Sequence, residues 1–222
     1  MKTLHLIFFL PFLAAAGSAH PTLLPLDQNH TPTTLTTRTP STSITAAQLL
    51  LIAPSSSTCA NAAIPSECRT ATQAAPHISA SFSRYQITSR RVQAALVATM
   101  VYESASFAYN TGHYPSHVPG KGTRNMQSYK YNSLYANDLF GAQALEEAAA
   151  VGPDQVLALV TGDEASFGSA AWFLASQCGG YRAVLREGTD EAYQSYLEDC
   201  VGTSWDGLRG SYYHAALEAL GG

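Results

Sequence analysis

Apolar positions recur at helical spacing along most of the chain beyond residue 45. Between residues 90 and 107, Val92, Leu96, Thr99 and Glu103 succeed one another at spacings of four, three and four, with Ala95 on one side and Met100 and Phe107 on the other. That spacing predicts a long helix with an apolar stripe, capped by Thr88 or Ser89. Shorter patterns predict helices over 46–53, 141–150, 153–160, 164–177 with Asp163 as its cap, 189–200 and 203–220. The pattern changes between residues 110 and 128, where Gly112, Pro115, Pro119, Gly120 and Gly122 break any helix. A short hairpin or extended flap fits there, so the expected architecture is a mainly α domain with a small β-containing flap packed across it.

The N-terminal stretch belongs to a different class of sequence. Lys2, the apolar run 4–16 and Gly17-Ser18-Ala19 read as a signal peptide over 1–19, so the protein is expected to be secreted. Residues 20–44, including TPTTLTTRTPSTS, are too rich in Thr, Pro and Ser to form a core and read as a disordered stem. Residues 45–222 then form one catalytic-sized domain, with a monomer as the default state. Without Lys2 the chain carries 11 basic and 16 acidic residues, a net charge of −5. That balance, with no basic cluster, argues against a nucleic-acid partner, and no later apolar run is long enough for a membrane span. It also provides no long-range attraction to an anionic surface such as a bacterial wall. Four cysteines in an oxidising compartment predict two disulfides; three connectivities are possible, and sequence proximity favours Cys59 with Cys68 and Cys178 with Cys200. Their spacing fits no metal site.

Glu103 carries the candidate chemistry. On an apolar stripe, desolvation disfavours the ionised carboxyl, which would keep it as a proton donor; alternatively it pairs with an Arg such as Arg90 or Arg124. Downstream of it come Ser104, then Phe107, the Gly-rich loop, and Gly122-Thr123-Arg124-Asn125-Met126-Gln127. This order resembles the lysozyme-like superfamily, especially goose-type lysozymes and soluble lytic transglycosylases, and secreted fungal proteins that carry TRNMQ with paired cysteines. The resemblance implies a lysozyme-like helical fold and Glu103 as general acid/base on a β-1,4-linked N-acetylated polysaccharide, peptidoglycan first and chitin second. It also implies that Asn125, Met126 and Gln127 line the cleft, although the family has Gly immediately before Leu-Met-Gln and this chain does not.

A glycosidase usually needs a second carboxylate, yet none occurs from Ser104 to Asn137. Asp138, Asp163 and Glu164 are the nearest in sequence, with Asp163 read as a cap and Asp138 as a solvated residue of a possible helix that starts near Tyr131 and Tyr135, four residues apart. Assistance by the substrate's own N-acetyl group would remove the requirement and permit hydrolysis or transglycosylation. Tyr109, Tyr129 and Tyr131 are candidate sugar platforms, whereas Phe107, Trp172 and Phe173 read as core. His113 and His117 sit in a broken loop without acidic or sulfur neighbours, so no metal or other cofactor is expected. Arg90, Arg91, Arg182 and Arg186 read as solvated helix faces. Two functional readings compete: a secreted glycoside-cleaving enzyme, or a non-catalytic module of the same fold that binds glycan or a host component.

Overall fold

A computed structural model describes residues 43–222. The signal peptide and nearly all of the stem lie outside these residues. The last stem residue does not: Ile44 is buried, and its backbone exchanges hydrogen bonds with the Ser79 hydroxyl.

Nine α-helices are found among the described residues, and no β-strand. Thr45 opens α1 (Ala46–Ile52) with a capping box to Gln48. A single 3-10 turn and a loop closed by the Cys59–Cys68 disulfide lead to α2 (Ala71–Arg84), which sequence periodicity did not predict. Pro76 inside α2 removes an interior N–H, but Thr70 and Gln73 form a second capping box and Ala74, Ile78 and Phe82 bury one face. Next comes α3 (Arg90–Glu103), buried at every position from Val92 to Val101. The apolar stripe is thus part of a helix enclosed on all sides, and Leu96, Val97, Met100 and Val101 each contribute about 1.5–3 kcal/mol of burial.

The flap over 110–128 contains only two isolated antiparallel bridges, Thr111 with Gly122 and Gly122 with Gln127, in place of the expected hairpin. Thr123 and Met126 have positive φ, and a ladder cannot propagate through left-handed residues and prolines. After the flap, α4 (Tyr129–Val151) begins twelve residues before the predicted helix at 141. Gly141, at φ 84° and ψ 168°, breaks it into two pieces. Beyond it lie α5 (Pro153–Val160), α6 (Asp163–Ser176), α7 (Tyr181–Val184), α8 (Asp190–Ser195), a π-helical turn (Tyr196–Val201) and α9 (Gly207–Leu220). The strongest packing pairs are α3 with α9, α4 with α5, and α2 with α6; α1 bridges α2 and α9. Cys178, two residues beyond the end of α6, is bonded to Cys200 in the π-helical turn, which completes the expected pairing. Paired cysteines suit an oxidising compartment, and none of the described residues is a free cysteine. No helix among the described residues is long and apolar enough to cross a membrane.

Candidate functional site

Glu103 is the last residue of α3, and the chain leaves it through an unusual turn. Ala105, Ser106 and Phe107 all have positive φ, from 49° to 69°. Ser106 N–H donates to Val101 O at 2.7 Å and Ala105 N–H to Tyr102 O at 3.2 Å, a Schellman closure with Ala where glycine is usual. The Ser104 hydroxyl locks the turn, donating to Met100 O and accepting from Phe107 N–H at 3.0 Å. Phe107 is carried into the core, edge-on to Phe167.

This exit leaves the Glu103 carboxylate at the surface end of a buried helix, its side chain 19% exposed. Arg209 Nη2 donates to its Oε1 at 2.5 Å and to Thr203 Oγ1 at 3.0 Å. The ion-pair alternative to a free acid is therefore realised, with a different partner from the two expected. Arg90 instead bonds Ser43 O and Gln93, and Arg124 is committed to carbonyls. The Arg209 guanidinium lies 3.7 Å from the Tyr102 ring centroid and is nearly fully buried, with Nε and Nη1 lacking hydrogen-bond partners. Tyr102 donates to Asp206 Oδ2 at 2.7 Å, and Asp206 Oδ1 caps α9 by accepting from Leu208 and Arg209 N–H. The Tyr102 hydroxyl and these two N–H groups hold the Asp206 carboxyl below its ordinary range, and the same bond raises the Tyr102 phenol. Glu103 Oε2 has no hydrogen-bond partner among the described residues.

Asn125 and Gln127 are joined in a network of internal hydrogen bonds, whereas Met126 is only partly buried. Asn125 and Gln127 are buried; Asn125 Nδ2 donates to Gln127 Oε1, whose amide nitrogen donates to Asn132 Oδ1. Asn132 in turn donates to Gly120 O and Gln127 O, which fastens the flap to α4. Arg124, fully buried, donates to the carbonyls of Phe107, Tyr109 and Glu67 and lies over the Phe167 ring. Burial lowers it to about 10, so it stays charged at neutral pH. The TRNMQ segment is a buttress joining the turn after Glu103 to the flap.

Of the tyrosine platforms, Tyr129 is exposed and Tyr109 half-buried with its hydroxyl 3.3 Å from that of Tyr114. Tyr131 packs edge-on against Phe173. His113 pairs with Glu67 at 2.8 Å and His117 with Asp154 at 3.0 Å, so both histidines pin the flap. No cluster of three or more His, Cys, Asp or Glu fit for a metal occurs among the described residues. The three second-carboxylate candidates are engaged elsewhere. Asp138 accepts from Trp172 Nε1 at 2.7 Å, so it is not a merely solvated residue. Asp163, directly after the N-cap Gly162, pairs with Arg69 at 2.7 Å and does not cap α6. Glu164 is exposed, 4.0 Å from Arg84. The carboxylate connected to Glu103 is Asp206, through Tyr102 and Arg209, and the sequence signal for it was its place as an N-cap three residues before an arginine. Three of the arginines expected to be solvated bind carbonyls: Arg90 that of Ser43, Arg91 those of Arg186 and Glu187, and Arg182 that of Tyr85.

A separate cavity of about 470 Å³ lies between α2, α4 and the start of α6, and Glu103 is not among its lining residues.

No known protein-family profile matches the chain, and no solved structure matches it. A curated protein of similar sequence is the bifunctional dioxygenase (DOX)-epoxy alcohol synthase (EAS) of Fusarium oxysporum (strain Fo5176), 40% identical over 158 residues. The match takes in 68% of this chain and 12% of that protein, so the chain spans about an eighth of its relative's length.

Proposed function

We propose that the chain cleaves glycosidic bonds in an N-acetylated β-1,4 polysaccharide, peptidoglycan before chitin, with Glu103 as the acid/base. The observation that carries this reading is the Glu103 carboxylate itself: it ends a buried helix, is anchored through Oε1 by Arg209, and keeps Oε2 unbound at the surface. Arg209 fixes the orientation of the carboxylate and leaves Oε2 unpaired, and a fixed orientation of this kind supports a general acid–base role. In the proposed reaction the Glu103 carboxyl gives its proton to the leaving glycosidic oxygen as the C1–O bond breaks, the substrate's N-acetyl oxygen bonds to C1 in place of a neighbouring carboxylate, and an incoming hydroxyl then displaces that oxygen and returns its proton to Glu103. The Fusarium relative is named for oxidative chemistry in a chain of which the matched stretch is 12%; an enzyme is the common ground, and its name speaks neither for nor against glycan cleavage.

A second reading, a glycan-binding module without activity, is favoured by two observations. The guanidinium already occupies one oxygen of Glu103, and Asn125 and Gln127 are spent on internal bonds. The test is turbidity clearing of bacterial walls and sugar release from chitin, for wild type and Glu103→Gln. The enzyme reading expects loss of activity in Glu103→Gln. It also expects a stability loss of about 1–3 kcal/mol, because the buried Arg209 charge loses its counter-charge, so assays belong well below the lowered Tm. Equal activity of the two proteins would refute Glu103 as the acid. Binding to either polymer without cleavage by the wild type would establish the module instead.

A further inference from the structure

We propose that the cavity between α2, α4 and α6 binds a neutral, largely apolar ring compound bearing a carbonyl or hydroxyl group, a site independent of the glycan reading and of Glu103. Its volume of about 470 Å³ lies within the ordinary range for small-molecule pockets. Leu139, Leu159 and Phe140 supply apolar walls, and Tyr85 and Tyr135 bring two phenols into the same space. Gly141 breaks α4 immediately after Phe140, which stays half exposed at the rim. Tyr135 is itself buried against Trp172, with ring centroids 4.8 Å apart, so this wall is rigid.

The charges around the cavity cancel, which sets the ligand's charge. Asp163 is paired with Arg69 at 2.7 Å, and Arg84 faces Glu164 at 4.0 Å across the rim. Neither an anion nor a cation finds an unmatched counter-charge, so a neutral molecule is the complement. The polar handle is the tyrosine pair. Tyr135 spends its proton on Ala165 O at 2.9 Å, and Tyr85 lines the cavity beside it. Burial keeps the Tyr85 phenol protonated, so its O–H can donate to a ligand oxygen. A methyl group at Gly168 would come within 2.6 Å of the Tyr135 oxygen, so glycine there leaves the hydroxyl its place.

The probe is Prodan, a neutral naphthalene ketone whose emission responds to hydrogen bonding, titrated into the full chain with anionic anilinonaphthalene sulfonate as the charge comparator. Saturable Prodan binding is expected, tighter than that of the sulfonate. Ala80 is exposed at the mouth on α2, so Ala80→Trp plugs the cavity from outside and should weaken Prodan by more than about tenfold. Ala80→Phe is the second plug should the larger ring disturb α2, and a wild-type Tm is required of whichever variant is used. Tyr85→Phe should weaken Prodan by about fivefold, the worth of one hydrogen bond. Absence of saturable binding, tighter binding of the sulfonate, or unchanged affinity in a folded plug variant or in Tyr85→Phe would each overturn the proposal.

Discussion

Ala105 holds a left-handed backbone conformation in which a side chain is a cost. Its φ of 49° begins three consecutive positive-φ residues, and each non-glycine residue in that region costs about 1–2 kcal/mol. The turn persists because everything around it is over-determined: the Ser104 hydroxyl, the Arg69 N–H and the Arg124 guanidinium all bind within it or to Phe107 O. Its product is the placement of Glu103 at the surface and Phe107 in the core. Ala105 is exposed and its methyl group contributes no core packing, so Ala105→Gly should raise stability by about 0.5–1 kcal/mol in urea unfolding. An unchanged or lower stability would mean the strain is relieved in some other way. Glu103 was legible as an anomalous carboxylate on an apolar helical stripe, because the 3.6-residue period is local. Its partner was not: Arg209 lies 106 residues away, and only the packing of α9 on α3 brings the two together.

At the level of elements, the flap and the C-terminal helices are held by cross-links more than by regular ladders. Two carboxylates anchor the flap: Glu67 accepts from Asn110 and Thr111 N–H as well as meeting His113, and Asp154 accepts from Gly120 N–H as well as meeting His117. The Cys178–Cys200 bridge closes a 22-residue separation and ties α6 to the π-helical turn. Replacing both cysteines by Ser should cost about 3 kcal/mol of stability through the freed unfolded chain, read as a lowered Tm with native circular dichroism retained at low temperature. A Tm equal to wild type would show that packing of Tyr193, Tyr196 and Leu197 alone secures this region. The helices α1, α5 and α6 were legible from their apolar period and from the Gly and Pro residues around them, although Asp163 is not the cap of α6. The helix α2 was hidden by Pro76, although the Thr70–Gln73 capping box announces it, and the first half of α4 was legible only as a possible helix from the Tyr131–Tyr135 spacing. The hairpin was overestimated because a glycine- and proline-rich stretch between helices is equally compatible with a loop buttressed by side chains, which is what Arg124, Asn125, Gln127 and Asn132 build.

For the molecule as a whole, a tyrosine cluster between α3, α8 and α9 sets a limit on alkaline stability. Tyr193, Tyr196 and Tyr213 are fully buried, with Tyr193 and Tyr213 ring centroids 4.3 Å apart. Burial raises all three phenols, Tyr213 to about 12 and the other two further, since an ionised phenolate would lose its hydration. The native state therefore keeps protons that the unfolded chain releases above about pH 10. Their stabilising contribution is complete below that value and is lost as pH rises through the folded-state values. Urea unfolding should give a stability independent of these groups up to about pH 9.5, falling steeply beyond it, and Tyr196→Phe should make the fall shallower. A slope unchanged by that variant would show that Tyr196 does not titrate on unfolding. By itself the sequence determined the helical class, favoured the cysteine pairing that is found, and marked Glu103 as a carboxylate on an apolar helical stripe, because period and short-range pairing act over a few residues to a few turns. Tertiary structure decided the ion pair with Arg209, the conversion of TRNMQ into a buttress, the engagement of Asp138 and Asp163 with distant partners, and the neutral cavity. Each of these depends on which helix faces end up together, a long-range outcome of core packing that no local spacing encodes.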